Sequence, residues 1–116
     1  MSRKILIVDD EKNIRKTLGM ILQGEGLEPI EAESGEEGLR LFAIARPALV
    51  ILDVRLPGVG GVETLREMKR LDPESMVVML SGHASIATAV EATREGAFDF
   101  LEKPPTKERV LLAVRN

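Results

Sequence analysis

The stretch ALVILDVRLPG, Ala48 to Gly58, decides how this chain is read. Five of its first six residues are apolar, the pattern of a strand buried on both faces. Asp53 then places a carboxylate where that strand stops, and Pro57-Gly58 breaks the chain four residues later. Strands buried on both faces belong to parallel sheets covered by helices on either side, so strands and helices should alternate around it.

They do. Upstream, Lys4-Ile5-Leu6-Ile7-Val8 is a β-branched apolar run that stops at Asp9-Asp10, a first buried strand. Ile14, Leu18, Ile21 and Leu22 recur at helical spacing, and Gly24 and Gly26 mark that helix's end. Leu27 to Ala32 is a second strand, and Pro29 within it points to a sheet edge. Ser34-Gly35-Glu36-Glu37 has the form of a capping box, and Leu39, Leu41, Phe42 and Ala45 carry the helix behind it up to Pro47. Leu49 to Leu52 is the third strand. Downstream, Val62, Leu65 and Met68 mark a third helix closed by Asp72-Pro73, and Met76 to Leu80 is a fourth strand. Ile86, Ala89, Val90 and Thr93 predict a fourth helix with a small inner face, ending at Gly96. Ala97 to Leu101 is the fifth strand, and Thr106 caps a last helix carrying Val110, Leu111 and Val114. The expectation is α/β: a five-stranded parallel sheet, doubly wound with five helices, with right-handed crossovers restricting the topology.

The 116 residues fit a single domain over 1–116, and 44% hydrophobic residues suffice for one core. With no Trp or Tyr and three Phe, that core is aliphatic. The last helix runs to Asn116 with no capping residue beyond it, from which we expect a domain cut from a longer protein. The net charge of −3, with both signs dispersed, offers no basic nucleic-acid patch and no polybasic membrane anchor. The absence of cysteine excludes disulfides and thiolate metal sites and is compatible with a cytoplasmic setting. No apolar run reaches the roughly 20 residues of a membrane span.

The polar residues gather at one end of the strands. The first strand ends in Asp9-Asp10, the third in Asp53, the fourth in Ser81-Gly82, and the fifth leads to Lys103-Pro104. Open parallel sheets bind ligands outside the carboxyl ends of their strands, where the strand order reverses. In an order 2-1-3-4-5 the first and third strands are neighbours at that reversal, so Asp9, Asp10 and Asp53 converge, flanked by Ser81 and Lys103. Taken singly each has an ordinary reading: Asp9-Asp10 as helix capping, Asp53 and Ser81-Gly82 as turn residues. Together, each at the same end of its own strand, they form a site. Three close carboxylates repel unless a cation joins them, and all-oxygen ligation suits Mg²⁺. Acid, metal, hydroxyl and ammonium together make a place for a phosphoryl group, and an Asp carboxylate can be its acceptor.

Three rival classes use the same topology. A phosphatase with an Asp nucleophile would need a second acid two residues on, where Arg55 stands. A flavodoxin-like cofactor binder would want aromatic residues to stack on flavin, and there are too few. A pure interaction module would not need the full set of Asp9, Asp10, Asp53, Ser81 and Lys103.

ILIVDDE, LDVRLPG, SGHAS and GAFDFLEKP, in this order and spacing, make the chain resemble the receiver domain of bacterial two-component response regulators. The stretch SGHASIATAVEATREGAFDFLEKP looks most like receivers of enhancer-binding transcription activators. The resemblance implies a phosphorylation switch that is not itself an enzyme. In it Asp53 matches the phosphoacceptor, while Asp10 matches a direct and Asp9 a water-mediated Mg²⁺ ligand. The main-chain carbonyl of Arg55 matches a further ligand, Ser81 the hydroxyl that bonds the phosphoryl group, and Lys103 the lysine, with its bond to Pro104 expected cis. Phe100 matches the aromatic switch position, and Arg55 and His83 are expected to rim the pocket. The partners implied are a sensor histidine kinase, the protein's own ATPase and DNA-binding output domains, and a second copy through the last two helices. Direct nucleic-acid contact and membrane contact are not implied. Two departures stand out: Gly60, where many relatives have an acid or Asn, so a looser loop is expected, and Pro105 after Lys103-Pro104.

Overall fold

The computed structural model describes residues 3–82 and 86–115. Strands and helices alternate along the chain as β1 (Lys4–Val8), α1 (Lys12–Gly24), β2 (Glu28–Ala32), α2 (Gly35–Ala45), β3 (Leu49–Asp53), α3 (Gly61–Leu71), β4 (Val77–Ser81), α4 (Ile86–Arg94), β5 (Asp99–Glu102) and α5 (Lys107–Arg115). The five strands form one parallel sheet in the order β2-β1-β3-β4-β5. The Pro29 strand is an edge, as its missing N–H requires. The order reverses between β1 and β3, whose register pairs Val8 with Leu52. Asp9 and Asp53, each next along its own strand, therefore emerge side by side.

The sheet has an apolar core on each face because successive side chains point to opposite sides. On one face Ile5, Ile7, Ile51, Val78 and Leu80 pack with Leu18 and Leu22 of α1 and Val110 and Val114 of α5. On the other, Leu6, Val8, Val50, Leu52 and Met79 pack with Phe42 of α2, Leu65 and Met68 of α3 and Ala92 of α4. The core is aliphatic apart from Phe42 and the half-buried Phe100.

Three strands begin later than their apolar runs predict: β4 by one residue, at Val77, and β2 and β5 for one shared physical reason. Gly26 N–H donates to the Gln23 carbonyl and Leu27 N–H to that of Leu22, at 3.0 Å each; Gly96 to Thr93 and Ala97 to Ala92 repeat the pattern at the same distance. Both are Schellman closures with a glycine at positive φ, 76° at Gly26 and 100° at Gly96. Leu27 and Ala97 thus finish helices α1 and α4, and β2 starts at Glu28 and β5 at Asp99.

Two helix starts carry the predicted Ser34 and Thr106 caps, the Glu37 carboxylate reaching one residue further back than a capping box does. Ser34 Oγ accepts from Glu37 N–H at 3.1 Å, and the Glu37 carboxylate accepts from Glu33 N–H at 3.0 Å. Thr106 Oγ1 accepts from Arg109 N–H at 3.2 Å. The expected inner face of α4 is a correction. Ile86 is 85% exposed and Val90 43%, Thr93 faces solvent, Ala89 is half-buried, and the only residue of α4 that is buried is Ala92. Helical spacing locates a stripe but not the side of the helix that meets the sheet. Among the described residues no helix is long and apolar enough to cross a membrane.

The loop after β3 is tied at its far end rather than loose. Gly61 N–H donates to the Val54 carbonyl at 3.0 Å, and Thr64 Oγ1 donates to that of Gly60 at 2.9 Å. Gly61 lies so close to β3 that a Cβ there would stand 2.1 Å from the Asp53 carbonyl oxygen.

Candidate functional site

At the carboxyl end of β1, β3 and β5 lies a cleft of about 270 Å³ lined by Asp10, Glu11, Asp53, Arg55, Gly82 and Lys103. Ligand-atom positions of Asp9, Asp10, Glu11 and Asp53 all lie within 4.8 Å of one another. Of the residues predicted from sequence, Asp9, Asp10, Asp53 and Lys103 come together here. Arg55 is exposed on the rim, and Ser81 is buried at the end of β4. The Ser81 carbonyl accepts from Lys103 N–H at 2.9 Å, so the main chain of β4 holds the lysine's own segment. Phe100 is half-buried beside the α2–α4 core, and its carbonyl accepts from Arg109 Nη2 at 3.4 Å. The Lys103–Pro104 bond is cis, and Pro105 is buried. His83 lies outside the described residues.

The two buried acids use their oxygens in the same way. Asp53, 3% exposed, accepts Arg55 N–H on Oδ1 at 3.1 Å and Lys103 Nζ on Oδ2 at 3.1 Å. Asp9, with no exposed surface, accepts Glu11 N–H on Oδ1 at 2.8 Å and turns Oδ2 toward the same lysine. One oxygen bonds the N–H two residues on, and the other faces the Lys103 ammonium. Asp53 thus makes the turn contact expected of it, whereas Asp9, read singly as a helix cap, does not cap α1, whose N-cap is Glu11 with no side-chain cap bond.

Lys103 Nζ is the cation they share. It lies 2.8 Å from Glu11 Oε1, 3.1 Å from Asp53 Oδ2 and 3.1 Å from Asp9 Oδ2. The last contact is an ion pair without hydrogen-bonding geometry, so Asp9 Oδ2 is buried with no hydrogen-bond partner. Burial first, and then the Asp9 carboxylate, push the Asp53 carboxyl up to about 6, although the Arg55 N–H and Lys103 act the other way. Burial of Lys103 disfavours its charge, but Glu11, Asp9 and Asp53 outweigh that and raise its pKa above the ordinary lysine value.

A hard divalent cation fits this donor set. Four carboxylates converge, three of them on one ammonium, all donors are oxygens, and the buried Asp9 Oδ2 has an ion-pair contact but no hydrogen bond. Sequence reading missed Glu11, although it is a third consecutive acid at the mouth of a helix. It also missed Arg15, whose signal is helical phase: it shares the inner stripe of α1 with Leu18 and Leu22 and is itself buried.

Comparison with known proteins gives a consistent picture. The family model described as the response regulator receiver domain matches residues 5–115. The regulatory protein AtoC of Escherichia coli is 38% identical over 112 residues, covering 97% of this chain and 24% of AtoC. The nitrogen assimilation regulatory protein NtrX of Azorhizobium caulinodans is 43% identical over 114 residues, 97% of this chain and 25% of that protein. The chain thus spans about a quarter of the length of these curated relatives. Among solved structures, the receiver domain of NtrX from Brucella abortus is similar with a TM-score of 0.90 and 43% identity, over 96% of this chain and 94% of that one. A receiver domain protein from Methanospirillum hungatei has a TM-score of 0.94 at 30% identity, over 99% and 92% of the two chains.

Proposed function

This chain belongs to the response regulator receiver domain family, and from that premise we propose that it is a phosphorylation switch whose acceptor is Asp53. The donor is the phosphohistidine of a sensor histidine kinase. A carboxylate oxygen of Asp53 attacks phosphorus in line, the bond from phosphorus to the histidine nitrogen breaks, and that nitrogen keeps the electron pair. The product is an acyl phosphate on Asp53. The chain is a phosphoacceptor that assists its own modification, not an enzyme acting on other molecules.

The residues take distinct parts. Lys103 offsets the negative charge that the phosphoryl oxygens bring beside Asp53, and the Ser81 hydroxyl donates to one of them. Asp10, Asp53 and the main-chain carbonyl of Arg55 would hold Mg²⁺, with Asp9 acting through water; bound there, the ion neutralises phosphoryl charge. Water later hydrolyses the acyl phosphate, and the exposed Arg55 side chain, with His83, controls how readily water reaches it. The reading is supported above all by the charge count: four carboxylates converge, and one ammonium, Lys103, meets three of them, including a buried Asp9 oxygen that has no hydrogen bond.

The output is a population shift in which Ser81, Phe100 and α4 repack when the phosphoryl group is present. ATPase and DNA-binding domains C-terminal to 1–116 in a longer protein would receive that signal; the NtrX chain of Brucella abortus, of which this chain covers 26%, is solved with ADP and with ATP, which supports the first of these. The exposed Ile86, Val90 and Leu112 support contact between two copies through the last two helices. The same reading places the domain in the cytoplasm with its kinase.

Incubation with phosphoramidate or acetyl phosphate and Mg²⁺, followed by intact-mass measurement, tests the chemistry. The wild type should gain one phosphoryl group, and both Asp53→Ala and a chelator should abolish the gain. A wild type that stays unmodified, or an Asp53→Ala variant that still gains the mass, overturns the reading.

A further inference from the structure

Arg15 is a charged residue on the inner stripe of α1, its side chain only 7% exposed, and the transfer described above makes no use of it. Its guanidinium reaches three acceptors. Nη1 donates to the Asp9 main-chain carbonyl at 2.8 Å, Nε to Glu31 Oε1 at 3.0 Å, and Nη2 to Glu33 Oε1 at 3.3 Å. The Glu31 and Glu33 side chains are 48% and 74% exposed, so the buried end of this arrangement is the contact with Asp9.

That contact falls where the sheet stops holding the chain. The last ladder pair of β1 with β2 is Val8 with Ala32, and Asp9 N–H still donates to the Ala32 carbonyl at 3.1 Å. The Asp9 carbonyl lies beyond the ladder, and Arg15 takes it. From that peptide onward come Asp10 and Glu11, so three of the four converging carboxylates leave the sheet through a turn whose direction one guanidinium helps to set. A guanidinium suits the task because its donors sit in a rigid planar fork.

We infer that Arg15 is a positioning residue for the divalent-cation site, locking the Asp9 main chain to the edge strand so that Asp9, Asp10 and Glu11 converge on Asp53. This rests on the cation reading of that cluster. The simpler alternative is an ion pair that ties α1 to β2 and affects stability alone. The two differ in sign. Removing a positive charge near four acids should by Coulomb attraction tighten cation binding, whereas losing the turn's geometry should weaken it.

Mg²⁺ titration by calorimetry on wild type, Arg15→Met and Arg15→Lys, beside the Mg²⁺ dependence of phosphorylation by phosphoramidate, decides between them. Loss of an outer partner of a ligand segment typically weakens metal binding at least tenfold, so Arg15→Met should raise the Mg²⁺ dissociation constant about tenfold. Half-maximal phosphorylation should need correspondingly more Mg²⁺, while the rate at saturating Mg²⁺ stays within about twofold, since Arg15 touches no reacting group. Arg15→Lys keeps the charge but not the fork and should fall between, about threefold weaker than wild type. An Arg15→Met protein that is folded by circular dichroism and binds Mg²⁺ as tightly as wild type, or more tightly, overturns the inference. If that variant does not fold, Arg15→Lys decides, and a dissociation constant equal to wild type overturns it. A wild type that binds no Mg²⁺ removes the cation reading and this inference together, whereas normal wild-type binding with unchanged variants removes only the inference.

Discussion

At the scale of single residues, Asp53, the acceptor in the function proposed above, sets its chemistry against the stability of the metal-free fold. Burial and Asp9 raise its pKa from the ordinary 3.8 to about 6, so the folded state holds this proton more tightly than the unfolded chain does. The ionised carboxylate therefore works against folding. The penalty is absent below about pH 4, grows between about pH 4 and 6, and is complete above that. Replacing Asp53 with Asn should leave stability unchanged near pH 4 and raise it by about 2 to 3 kcal/mol at pH 7.5 in the presence of a chelator. Urea denaturation across that range checks it, and an Asn variant less stable than wild type at pH 7.5 would refute the electrostatic account. Asp9, Asp10, Asp53 and Lys103 were legible in the sequence because each sits at the end of a strand, and strand ends in a parallel sheet share one edge. Glu11 and Arg15 were not, because their parts depend on partners 92 residues away at Lys103 and 16 and 18 residues away at Glu31 and Glu33.

At the scale of elements, the contact between β3 and α3 requires only the second of two successive glycines. Gly60 has φ −67°, an ordinary value, and a Cβ there would meet nothing nearer than a Glu63 carboxylate oxygen at 4.0 Å. Gly61 packs against main chain that cannot give way, with the Val54 Cα 2.6 Å from where its Cβ would stand. Gly61→Ala should destabilise by about 2 kcal/mol or more, the range of forced overpacking, although Ala is the better helix former. Gly60→Ala should stay within about 0.5 kcal/mol of wild type. Equal effects in thermal or urea unfolding would show that the approach of α3 to β3 is not set by glycine. Because Gly61 abuts Asp53, the same substitution should also slow phosphorylation. The pair looks alike in sequence, and only the packing tells the two glycines apart.

At the scale of the molecule, the helices share the two faces of the sheet unequally. Helices α1 and α5 cover one face; on the other, α2 and α3 supply Phe42, Leu65 and Met68, whereas α4 gives only Ala92 and turns Ile86 and Val90 outward. Those side chains are surplus to the domain's own core. The double variant Ile86→Gln with Val90→Gln should keep its stability within about 0.5 kcal/mol, while Ala92→Leu should lose about 1 to 3 kcal/mol. A double variant that loses more than about 1 kcal/mol in urea would return the stripe to the core. Alternation and right-handed crossovers leave a few topologies, and a polar edge that gathers Asp9 and Asp53 is consistent with the order observed. The facing of α4 was not readable, since an amphipathic pattern does not say whether its apolar side meets the sheet or something else. One consequence of the Lys103 contacts belongs to the chain's history rather than its final state. The lysine closes onto Glu11 across 92 residues and onto Asp53 across 50, so its cluster is among the least local contacts in the protein. A chain whose fifth strand has not yet paired already owns its acids but lacks their counter-charge. On the reading proposed above, phosphoramidate should therefore modify Asp53 only once β5 has paired and brought Lys103 to the acids.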